Sequence, residues 1–211
     1  GVNDKVDARN DIFRLLAVEN LCAKRSQVAG QVTFFCIGTG NEAASAGHTS
    51  GRIISEGEET IQLAIQSRQS SISIQIWKEY TDQIEISIIN PSGVRVGPVP
   101  EILGPHRFRI GQTEILLYYG EPSPYSISQE IYIDLLPVES YLTEGIWRIV
   151  LSAGKIVTGQ YEMWLPSDNV LNRGTGFLFP TDATTLTIPS SASRAISVGA
   201  YDARTFAYAD F

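Results

Sequence analysis

Hydrophobic and polar residues alternate with period two through most of the middle of the chain. Ile61, Leu63 and Ile65 are interleaved with Thr60, Gln62, Ala64 and Gln66, and Ile72, Ile74 and Ile76 with Ser73, Gln75 and, further on, Lys78. Successive side chains of a strand point to opposite faces, so this pattern predicts strands with one face in a core and one in water. Gln83 to Ile89 repeats it, and Asn90-Pro-Ser-Gly93 supplies turn residues. Further strands are predicted over 107–110, 112–119, 129–135, 145–152 and 155–165. About eight short strands at this spacing predict a β-sandwich or jelly roll.

The first fifty residues follow a different grammar. Ile12, Leu15, Leu16, Val18 and Cys22 recur at three and four, after Asn and Asp as caps, and predict an amphipathic helix over 8–25. Gly30 ends it. Gln31 to Ile37 is then nearly all apolar and predicts a strand buried on both faces, as in a parallel sheet. A glycine-flanked loop follows, Gly38-Thr-Gly-Asn-Glu42, with Gly47-His48 shortly after.

Composition narrows the possibilities. The chain has 211 residues, 43% of them hydrophobic, enough to bury a core. A net charge of −7 without clustered Lys and Arg argues against a nucleic acid partner. No apolar run reaches the roughly 20 residues of a membrane helix. The two cysteines, Cys22 and Cys36, lack metal-ligand spacing and are expected as buried free thiols.

The strand entering the Asn-Glu loop, residues 34–47, resembles the oxyanion-hole segment of subtilisin-like serine proteases. The tail from Ile188 to Asp202, followed by Ala209-Asp-Phe211, is similar to the later stretch that returns such a chain to its catalytic core. The intervening β region, with Gly47-His48, resembles in particular the clostridial germination (Csp-type) subtilases, which carry a jelly roll at that place. Ile88 to Gly93 and Gly145 to Leu151 look like segments of the P domain of proprotein convertases, also a jelly roll.

The resemblance implies a mainly β fold: a jelly-roll-like β-sandwich (52–184) inserted into a partial subtilase α/β core. Residues 1–51 contribute one helix and a buried strand to that core, and residues 185–211 return to it. It also implies a serine endopeptidase parent. His-Gly-Thr and Gly-Thr-Ser segments do not occur, so the catalytic Asp, His and Ser are expected outside this sequence and the chain alone is expected to be inactive. Asn41 matches the oxyanion asparagine, an amide donor for the developing negative charge, and Glu42 the supporting acid after it. No metal or cofactor is implied. The expected partners are the rest of the protease chain, its propeptide and a protein substrate such as a spore cortex-lytic zymogen. The expected location is the spore or the cell surface.

The same residues also bear on other chemistry. Asn41 also suits a turn, since asparagine tolerates positive φ. Gly38 to Ala43 fits a G-x-G-x-x-A phosphate loop, but the polar, glycine-containing stretch after it is not the amphipathic helix such a loop must open. His48 and His106 are each read as locally bonded loop residues, and Glu56-Gly-Glu-Glu59 as a solvated turn without calcium-loop spacing. Trp147 lies in an alternating strand and is expected in the core. Trp77 and Trp164 remain as residues on which a ligand could stack, which keeps open a carbohydrate- or protein-binding sandwich, or a catalytically dead relative of the proteases.

Overall fold

The structure, a computed structural model, describes residues 35–38, 45–122, 124, 126–166, 170–183, 185 and 195–208. The predicted helix over 8–25, Cys22, Asn41 and Glu42 lie outside these residues. Contacts divide the chain into two compact units, residues 1–44 with 183–211, and residues 45–182. No helix occurs among the described residues, and the chain is mainly β.

In the first unit, β1 (Cys36–Gly38) pairs in parallel with β13 (Ile196–Val198), Ile37 opposite Ser197. A hairpin follows from β14 (Tyr201–Asp202) and β15 (Ala207–Tyr208). The parallel pairing is that of α/β grammar. Burial differs from expectation: Cys36 is an exposed free thiol and Ile37 is only half-buried. Among the described residues this sheet has two strands.

The second unit contains two antiparallel sheets. The first has the order β12 (Gly176–Phe177), β3 (Glu58–Ile65), β10 (Gly145–Ala153), β5 (Ile84–Ile89), β6 (Arg95–Val99). The second runs β2 (His48–Arg52), β11 (Gln160–Trp164), β4 (Ile72–Glu79), β9 (Ser128–Pro137), β8 (Thr113–Tyr119), β7 (Gly104–Ile110). The successive strands β3 and β4 sit in different sheets, and so do β9 and β10, yet β3 pairs with β10 and β4 with β9. One two-stranded ribbon thus folds across both sheets, which is jelly-roll winding.

Strand pleat explains the core. Ile72, Ile74 and Ile76 of β4 lie opposite Leu135, Ile133 and Ile131 of β9, and all six are at most 1% exposed. Leu63, Trp147 and Ile149 face them from the other sheet's strands, and Trp147 anchors its indole by donating to the Thr143 carbonyl at 2.9 Å. At about 25 cal/mol per Å2 of apolar surface removed from water, each such isoleucine contributes on the order of 2 kcal/mol.

Three differences from the sequence reading have simple causes. Lys78 shares the parity of Ile72, Ile74 and Ile76, so it points inward and is 3% exposed, not on the wet face. β2 and β6 form although glycine or proline interrupts both; β6 is an edge strand, where Pro98 has no central ladder to break. Residues 155–159 are a loop, not part of a strand, because they wrap a buried carboxylate described below.

Candidate functional site

Three groups of polar or aromatic side chains stand out in the second unit. At the edge strand β2, His48 is 2% exposed. Its Nε2 lies 2.7 Å from Glu162 Oε2 and its Nδ1 3.0 Å from Thr181 Oγ1. Nδ1 also lies 3.1 Å from the Thr181 carbonyl oxygen, so the two ring nitrogens are held between Glu162 on one side and Thr181 on the other. The Trp164 ring covers the imidazole at a centroid distance of 4.7 Å.

A Thr-His-Glu row has the order of a nucleophile, a base and an orienting acid. At 2% exposure, however, the imidazole has no room for a substrate beside it. Its other contacts are those of a clasp. Thr181 N–H donates to the His48 carbonyl at 2.9 Å, and Thr49 Oγ1 to the Phe179 carbonyl at 2.8 Å, which ties the segment after β12 along the edge of β2. β2 also needs Gly51, because a Cβ there would overlap the Tyr161 ring on the neighbouring strand.

The second group is buried between the sheets. Lys78 Nζ donates to Gln129 Oε1 at 2.6 Å, to Glu101 Oε1 at 3.2 Å, to the Glu79 carbonyl at 3.3 Å and to the Asp82 carbonyl. Burial pulls the ammonium below its ordinary pKa, against the opposing pull of Glu101 and Asp82. The Asp82 side chain is fully enclosed. Its carboxylate accepts from Val157 N–H, Thr158 N–H and hydroxyl, and Gly159 N–H. Burial alone would raise this acid, but those four donors outweigh it and hold the carboxyl below the ordinary aspartate value. Because its lone pairs are occupied, Asp82 cannot ligate a metal without losing the loop it organises. This is a structural lock.

The third group lies on the outward face of the six-stranded sheet. The register sets Glu162, Trp77 and Glu130 in one row across β11, β4 and β9. Trp164, Gln75 and Tyr132 form the adjacent row. Trp77 and Trp164 are thus brought to one face, while Trp147 is 1% exposed in the core.

The remaining candidates are structural. His106 Nε2 bonds the Ile102 carbonyl at 2.8 Å. Glu58 of the acidic turn accepts from Ser152 Oγ at 2.9 Å and pairs with Arg95 at 3.6 Å. Among the described residues no three His, Cys, Asp or Glu side chains are grouped to hold a metal ion. Neither Lys78 nor Asp82 stands out in the sequence; a lysine at an inward-facing strand position is the available signal for the first.

No family model matches the chain, and no curated protein does. Among solved structures it is similar to the Clostridium perfringens CspB protease, at 28% sequence identity and a TM-score of 0.82 over 92% of this chain. The match spans 39% of that protein's chain. The likeness relates this chain to part of a clostridial protease.

Proposed function

We propose that this chain is an internal part of a Csp-type subtilisin-like serine endopeptidase, with residues 45–182 a jelly roll that stabilises the catalytic core. The observation that supports it most is the similarity to the CspB protease over nearly the whole chain. The pairing of β1 with β13 agrees with it. These two strands flank the sandwich in sequence and are neighbours in a parallel sheet, so a domain between them can leave and rejoin a core without breaking it.

In this reading Asn41, three residues beyond the end of β1, donates its amide to the oxyanion of the tetrahedral intermediate, and Glu42 supports the loop. The nucleophile, base and orienting acid come from other parts of the protein, so the 211-residue chain does not turn over peptides by itself. The remaining protease chain and its propeptide are the proposed partners, a protein such as a cortex-lytic zymogen the proposed substrate, and the spore or cell surface the proposed place of action. The test is removal of residues 45–182 from the whole protease. Maturation or melting temperature should fall; an enzyme unchanged in both would contradict a stabilising role.

A further inference from the structure

We propose that the outward face of the six-stranded sheet binds an arginine-bearing peptide segment, with the guanidinium seated on Trp77 between Glu130 and Glu162. The row Glu162–Trp77–Glu130 places a carboxylate on either side of one indole, at the strand spacing of about 4.8 Å. Trp164 and Tyr132 occupy diagonal positions, within reach of long side chains.

Charge selects the occupant. The outward positions of the three central strands β11, β4 and β9 carry Glu162, Glu79, Glu130 and Asp134, and no Lys or Arg. The arginines of the edge strands are engaged locally: Arg107 with Glu114 at 2.9 Å, Arg109 with the Gly111 carbonyl at 3.0 Å and Arg52 with the Thr158 carbonyl at 2.9 Å. Asp134 accepts from Ser73 Oγ at 2.8 Å, and Glu162 is engaged by His48. Glu130 differs: it is half-buried beside Trp77, and no hydrogen bond or ion pair reaches its carboxylate from the described residues. Burial pushes this carboxyl above its ordinary value, so the site already bears a cost for the charge that an arriving cation would relieve.

Guanidinium matches the site better than a neutral sugar. It is planar, stacks on an indole and donates in pairs to a carboxylate, whereas a glycan would leave the charge of Glu130 uncompensated. This inference concerns a peptide ligand and stands independently of the protease reading.

The test is calorimetric titration of the full chain with acetyl-Arg-Gly-Arg-amide, its citrulline counterpart, and chitotetraose. Citrulline keeps the shape of arginine and removes the charge. The arginine peptide should bind, with citrulline and Glu130→Gln each weakening binding about tenfold. Trp77→Leu should weaken it severalfold, and Glu85→Gln on the opposite sheet should leave it unchanged. The melting temperature of each variant shows whether it is folded. Equal binding of the citrulline peptide, equal loss in Glu85→Gln and Glu130→Gln, binding of chitotetraose alone, or no binding at all would overturn the proposal.

Discussion

Replacing Lys78 with methionine removes the ammonium but keeps most of the apolar stem of the side chain. Four oxygens then lose their donor: Gln129 Oε1, Glu101 Oε1 and the carbonyls of Glu79 and Asp82. Removing one member of a buried ion pair costs about 3–5 kcal/mol, chiefly because the other charge stays behind without a partner. The Glu101 side chain is 18% exposed and can recover some hydration, which puts the cost near the lower end, about 3 kcal/mol. For a unit of roughly 140 residues this lowers the melting temperature by about 10 °C. Adding Glu101→Gln should restore about 1–2 kcal/mol, since the stranded charge is then gone. The assay is thermal unfolding followed by circular dichroism or calorimetry. A single mutant within about 1 kcal/mol of the parent chain would refute the placement of this ammonium among those oxygens.

Other outcomes follow from the same geometry. Because the folded-state value of Lys78 is lowered, the unfolded chain binds more protons between that value and 10.5, so stability should rise with pH in this alkaline window; the rise should be absent from Lys78→Met in urea titrations at stepped pH. Asp82 is lowered below 3.8, so its contribution is present above that pH and is lost as acid titrates the folded carboxylate; Asp82→Asn should show a flatter acid limb and a loss of about 2–4 kcal/mol at neutral pH. Gly51→Ala should cost about 1–3 kcal/mol by forcing the Tyr161 ring aside, read from the denaturant midpoint. Trp147→Ala should cost about 3–5 kcal/mol and abolish near-ultraviolet signal from the core indole.

The sandwich was legible because its central strands obey alternation strictly. Ile61, Leu63, Ile72, Ile74, Ile76, Ile131 and Ile133 repeat with the pleat, and burial enforces that register. What escaped the pattern involved residues whose type and position conflict. Lys78 belongs by parity to the core but by chemistry to water, and its oxygen partners lie up to 51 positions away. Asp82 is similar: the donors that make its burial possible are 75 to 77 positions distant, beyond the reach of any local motif. β2 and β6 carry Gly51 and Gly97-Pro98, which locally signal breaks and are tolerated because of the Tyr161 ring in one case and an edge position in the other. His48 was read as a loop residue, whereas its pairing with Trp164 across β2 and β11 makes it a clasp. Asn41 stands out by the resemblance of its loop to a protease segment, and it lies outside the described residues.

The most direct measurement is to read the coding sequence on both sides of this segment. A subtilase parent carries an Asp segment and His-Gly-Thr upstream and Gly-Thr-Ser downstream, in one frame with residues 1–211, and this is the expected result. A frame that closes at either end without them would contradict a subtilase parent.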